Sequence, residues 1–158
     1  MQLNGTTAWN QTTHRLALTS ATGGAQAGTF FYGTLVNVQA FTNDFTFRLT
    51  TPNADGFTFT IQGTAATAVG PSGGGLGYGP DNTGDAAGIG KSVAVKFDLY
   101  NNAGEGVDST GEYTNGVSPT TPFTEMTSSG VNLHSGDVMS VHMTYDGGLY
   151  EWKRDDPG

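Results

Sequence analysis

Ser92-Val93-Ala94-Val95-Lys96-Phe97-Asp98-Leu99-Tyr100 decides the fold class of this chain. Side chains on an extended strand alternate between faces, so this stretch puts Val93, Val95, Phe97 and Leu99 on one side and Ala94, Lys96, Asp98 and Tyr100 on the other. The same period of two recurs outward in both directions. Phe57-Thr58-Phe59-Thr60-Ile61 and Phe45-Thr46-Phe47-Arg48-Leu49 repeat it upstream, and Thr29-Phe30-Phe31-Tyr32 opens an aromatic strand before them. Downstream, Val138 to Tyr145 groups Met139, Val141, Met143 and Tyr145 on one face. Asp146-Gly147-Gly148 then has the chemistry of a hairpin turn into Leu149-Tyr150-Glu151-Trp152. No helical period survives beyond a few residues, so the expectation is an all-β chain.

Composition agrees. Of 158 residues, 25 are Gly and 24 are Thr, both poor helix formers, while only 13% are charged. Nine Phe, six Tyr and two Trp supply a core that a disordered, Gly-rich segment would lack. The length suits one domain spanning 1–158, with 147–158 an atypical polar tail. A net charge of −8 with only six Lys and Arg leaves no basic patch for phosphates, which argues against nucleic acid and anionic membranes as partners. No apolar run is long enough to span a bilayer, and no signal peptide is visible at Met1–Asn10. Without Cys there is neither a disulfide framework nor a thiolate metal site.

Three loops between the strands concentrate the chemistry. Ala54-Asp55-Gly56 is squeezed between two strands, and Gly70 to Asn82 contains Gly73-Gly74-Gly75-Leu76-Gly77-Tyr78-Gly79. The third, Asn101 to Gly116, carries Asn101, Asn102, Glu105, Asp108 and Glu112 among four glycines. A hard cation such as calcium takes six to eight oxygens from carboxylates, Asn amides and backbone carbonyls. Asp98, a carbonyl near Tyr100, the Asn102 amide and a carboxylate from Glu105 or Asp108 would supply such a shell; a solvated acidic turn is the equal alternative.

Taken in order, Ala54-Asp55-Gly56-Phe57-Thr58-Phe59, Gly73-Gly74-Gly75-Leu76-Gly77 and Val93-Ala94-Val95-Lys96-Phe97-Asp98-Leu99-Tyr100-Asn101-Asn102 resemble the legume-type (L-type) lectins, specifically their bacterial relatives. The likeness runs from about Leu3 to Asp146. It implies a concanavalin A-like jelly-roll β-sandwich that binds a carbohydrate in a shallow pocket shaped by calcium. Asp55 would match the sugar-binding aspartate, which in that family follows a cis peptide bond, making Ala54-Asp55 the bond to inspect. Gly74, or Gly75 if the loop is shifted, would offer a backbone N–H to a hydroxyl, Tyr100 would stack on the pyranose, and Asn102 would serve sugar and ion together. Asp98 would be the central calcium ligand, joined by Tyr100, Asn102 and either Glu105 or Asp108. The resemblance also implies an extracellular setting.

The departures are informative. Where plant members carry a Glu that holds a transition metal beside calcium, this chain has Lys96, and Glu112 stands near the place of their His ligand. Calcium alone is therefore expected, or no metal where Lys96 fills the gap. A sandwich of this kind commonly takes about 200 to 250 residues, so the chain is expected to leave open sheet edges that a homo-oligomer or swapped strands would complete. A glycoside hydrolase on the same jelly roll is the rival, with Asp55 and Glu105 or Asp108 the only candidate pair. An adhesion or structural module without a working pocket is the third reading. His134, Ser135 and Asp137 are too close in sequence to form a nucleophilic triad, and the glycine loop lacks the Lys-Ser/Thr of a phosphate cradle.

Overall fold

The computed structural model describes residues 1–147. The expected hairpin beyond Gly147 and the polar tail lie outside the described residues. Among the described residues ten strands carry the regular structure: β1 (Gln2–Gly5), β2 (Ala8–Asn10), β3 (Arg15–Ala17), β4 (Gly28–Phe31), β5 (Phe41–Arg48), β6 (Gly56–Gln62), β7 (Ser92–Asp98), β8 (Ser109–Thr114), β9 (Thr124–Glu125) and β10 (Val138–Tyr145). Short 3₁₀ turns at Gly73–Gly75, Thr127–Ser129 and Leu133–Ser135 are the only helical pieces among the described residues. The chain is all-β, as its alternation predicts.

Strands β6, β7, β8 and β9 form one antiparallel sheet in that order, with Phe57 opposite Phe97 and Lys96 opposite Gly111. A second layer pairs β5 with β10, setting Phe45 against Val141 and Phe47 against Met139. Two smaller pairs, β1–β4 and β2–β3, flank them. The two main layers meet through aromatic rings. Phe45 stacks on Phe59 at 5.5 Å, Phe47 meets Phe57 edge-on at 4.8 Å, and Phe45 meets Phe97 edge-on at 6.2 Å. These separations fall in the favourable range for offset and edge-to-face rings, so the phenylalanines fix the register of one sheet on the other as well as burying surface.

The other face of β7 is the more deeply buried, which alternation alone does not foresee. Ser92, Ala94, Lys96 and Asp98 are all buried, whereas Val93 on the nominally inward face is 42% exposed. The cause is the long connections, which fold over this face. Tyr78, Ile89, Ala94 and Tyr113 pack there as a core cluster, with Phe31 and Ala68 against it.

One expectation needs correcting. The stretch Asn101 to Gly116 is not a single loop, because Ser109–Thr114 is strand β8. Its sequence, STGEYT, carries Tyr113 as its one large apolar side chain, so no alternation signals it. Gly111 is required at its centre: a Cβ there would lie 2.6 Å from the Tyr113 hydroxyl and 2.8 Å from the Pro122 carbonyl.

Candidate functional site

Asp55 precedes β6 and is half-buried, and the Ala54–Asp55 peptide is cis. Its carbonyl accepts the Leu99 N–H at 2.8 Å, which fastens Asp55 to the end of β7, where the Tyr100–Asn102 segment departs. The two segments then touch through side chains: the Asn102 amide nitrogen lies 3.4 Å from Asp55 Oδ1 and donates toward it.

The glycine loop closes the third side. It is held by its own backbone, with Leu76 N–H donating to Gly73 O, Gly77 N–H to Pro71 O and Tyr78 N–H to Gly75 O. Tyr78 pins it to the sheet. Fully buried, its hydroxyl shares a 2.9 Å hydrogen bond with Ser92 Oγ and accepts the Gly116 N–H at 3.0 Å. Gly74 lies directly against the other two segments. A Cβ at Gly74 would sit 2.7 Å from the Asn102 side chain and 2.6 Å from Asp81 Oδ2, so any larger residue would push those two side chains aside. Gly75 instead faces Pro71. Of the two glycines expected at the pocket, Gly74 is the one that meets Asn102.

Asp81 is a member of this group that the sequence analysis passes over. The only signal is its place just after the glycine loop, in Gly79-Pro80-Asp81. Its carboxylate lies against Gly74. Partial burial pushes the Asp81 carboxyl above the usual carboxylate range, with the neighbouring Asp85 adding to the effect. Tyr100, two residues before Asn102, keeps 48% of its surface open.

A buried ionic cluster lies at the end of β7, next to the segment that carries Asn102. Lys96 is 0% exposed, and its ammonium sits 3.0 Å from Asp98 Oδ2, 3.7 Å from Glu105 Oε1 and 3.4 Å from the Thr120 carbonyl. The Tyr113 ring centroid is 5.9 Å from it, within cation–π reach. The remaining carboxylate oxygens serve the backbone: Asp98 Oδ1 accepts the Tyr100 N–H at 3.1 Å, and Glu105 Oε2 accepts the Ala103 N–H at 2.5 Å. Burial raises the Asp98 carboxyl above its ordinary value against the opposing pull of Lys96 and the Tyr100 N–H. Tyr113 is raised too, by burial and then by the charges of Asp98 and Glu105.

Asp98 and Glu105 are therefore brought together, but Asp108 is not part of their cluster. Asp108 Oδ1 accepts the Leu133 N–H at 2.7 Å and pairs with His134 Nδ1 at 3.4 Å, anchoring the 126–134 segment. Glu112 is opposite Val95 in the β7–β8 register and so lies on the other side of the sheet from Lys96. Among the described residues no group of three or more His, Asp and Glu is arranged to hold a metal ion.

A cavity of about 530 Å³ opens between the two layers, lined by Phe47, Phe97, Met126, Leu133, Met139 and Val141 among others, and shares no lining residue with the Asp55 group. No helix of the described residues is long and apolar enough to cross a membrane. A family model described as the legume lectin domain matches residues 1–150. Among curated proteins, none matches this chain.

Proposed function

The chain belongs to the legume lectin domain family, a family of sugar-binding domains, and we propose that it binds a neutral carbohydrate where Asp55, Gly74 and Asn102 converge. The observation that carries this reading is the convergence itself. Two segments far apart in sequence meet at the Asn102–Asp55 hydrogen bond, and a third brings Gly74 so close that a Cβ there would push the Asn102 and Asp81 side chains aside. In this reading Asp55 accepts hydrogen bonds from two sugar hydroxyls, Asn102 donates to one, and Tyr100 offers its ring to the apolar face of the pyranose. A sugar hydroxyl that reaches the Gly74 N–H also meets the Asp81 carboxylate beside it. With the carboxylates of Asp55 and Asp81 at the pocket, and neither in an ion pair among the described residues, neutral sugars are favoured over sialylated or uronic ones.

Glycoside hydrolysis finds little support. The carboxylate expected to partner Asp55 would be Glu105, which is fully buried on Lys96, or Asp108, which is buried against Leu133. Neither faces a substrate. Family membership supports an extracellular or cell-surface setting.

Metal ions need separate treatment, because the family generally holds calcium and a transition metal beside the sugar. The residues here do not fit that donor set. Lys96 stands where the transition metal's Glu ligand would be, and Glu112 faces away. Two of the carboxylates expected on calcium are engaged within the chain: Asp98 by Tyr100 N–H and Lys96, Glu105 by Ala103 N–H and Lys96. The Asn102 amide nitrogen donates to Asp55, which leaves its oxygen outside that bond. Calcium dependence, expected from the resemblance, is accordingly left out of this reading.

We further propose a homo-oligomer. Its support is the β5–β10 layer, which is two-stranded among the described residues, together with Leu35 and Val36, which are largely exposed in the preceding segment. Light scattering at micromolar concentration is expected to give at least twice the 16.4 kDa chain mass; a monomeric mass would refute it.

A glycan array probed with the full chain tests the carbohydrate reading. Saturable signal on neutral glycans, competed by the free sugar, is expected; an array with no signal from a folded sample would contradict it. Gly74→Ala is expected to weaken that binding about tenfold or more, equivalent to about 1.4 kcal/mol. The new methyl displaces the Asn102 and Asp81 side chains, not backbone, so the melting temperature should fall by only about 2–4 °C. Isothermal titration beside a thermal melt separates the two effects.

A further inference from the structure

We propose that the Lys96 ammonium is the resident cation of this pocket, doing for Asp98 and Glu105 what a bound divalent ion does in other members of the family, so that sugar binding needs no metal. The inference rests on the carbohydrate reading above for its ligand, but its structural half stands independently.

An ammonium carries three N–H donors, and Lys96 has three oxygens around it: Asp98 Oδ2 at 3.0 Å, the Thr120 carbonyl at 3.4 Å and Glu105 Oε1 at 3.7 Å. Among the described residues Glu105 Oε1 has no other partner, so this ion pair compensates its burial. All three charged side chains are 0–1% exposed, and a buried charge persists only when paired. Removing the cation would leave two carboxylates side by side away from water.

The cluster also reaches the pocket. Asp98 holds the Tyr100 N–H and Glu105 holds the Ala103 N–H, so the ammonium indirectly clamps both ends of the 100–103 segment. Asn102 lies between those two points and presents its amide to Asp55. One covalently attached charge thus orders the segment that a calcium ion would otherwise have to gather. A divalent ion drawn to the same carboxylates would meet a fixed positive charge in a poorly solvated site, where repulsion is weakly screened.

The experiment uses the full chain in three forms: wild type, Lys96→Met and Lys96→Glu. Wild type, stripped with EDTA, is expected to keep its melting temperature within about 1 °C and its array signal, and to gain nothing from millimolar calcium or manganese. Elemental analysis of the purified chain should find no stoichiometric divalent metal. Lys96→Met should lower the melting temperature by roughly 10 °C, since two buried carboxylates lose their counter-charge. Lys96→Glu, if it folds, should be stabilised by added calcium or manganese where wild type is not. An EDTA-induced fall of several degrees in wild type, a bound metal in the purified chain, or a Lys96→Met melt equal to wild type would each overturn the proposal. If no glycan binds, the carbohydrate reading fails while the melts and elemental analysis still judge the role of Lys96.

Discussion

Replacing Asp55 by Ala should reduce affinity for the best array glycan by about a hundredfold or more. In the proposed complex the carboxylate accepts two hydroxyl hydrogen bonds, each charge-assisted and each contributing about 1.5–3 kcal/mol. Losing both removes at least about 3 kcal/mol, or two decades in Kd. Stability should barely change, because Asp55 is half-buried and its carbonyl, not its side chain, holds Leu99. Asp55→Asn keeps one acceptor oxygen and should fall between the two. Isothermal titration settles the point: an Asp55→Ala Kd within threefold of wild type would remove Asp55 from the site.

The largest stability effect should come from Tyr78. Its side chain is fully buried in the cluster with Ile89, Ala94 and Tyr113, and its hydroxyl joins Ser92 to the Gly116 N–H. Tyr78→Ala opens a cavity at the centre of that cluster and should cost about 3–5 kcal/mol, lowering the melting temperature by roughly 6–20 °C. Tyr78→Phe keeps the ring but leaves the buried Gly116 N–H and Ser92 hydroxyl a partner short, for about 1–3 kcal/mol. Because Tyr78 fastens the glycine loop to β7, both variants should also weaken sugar binding. Differential scanning calorimetry gives the comparison, and a Tyr78→Phe melt equal to wild type would show that the hydroxyl contacts add nothing.

Much of this was legible in the sequence. The period of two marked β5, β6, β7 and β10, because each has Phe, Val or Met on one face and polar groups on the other. Strand β8 was not legible, since a strand whose neighbours supply its packing needs only Tyr113 of its own. The relative depth of the two faces of β7 was also hidden. Alternation reports which residues share a face, but the cover on each face comes from loops tens of residues away, and these bury Lys96 and Asp98 more completely than Val93. Pocket membership divided along similar lines. Asp55, Gly74 and Asn102 stand in recognisable motifs, whereas Asp81 joins them only through the path of the glycine loop. The choice between Glu105 and Asp108 as the partner of Asp98 depended on which carboxylate the loop turns inward, and spacing does not encode that.

The most direct test of carbohydrate binding at this pocket is an amide NMR titration of the full chain with its best array glycan. The expected result is saturable shifts at Asp55 and Gly56, at Gly73 to Gly75 and at Tyr100 to Asn102, all with one Kd. Shifts confined to the apolar cavity between Phe47, Phe97, Met126 and Leu133, or no shifts at all, would contradict the account.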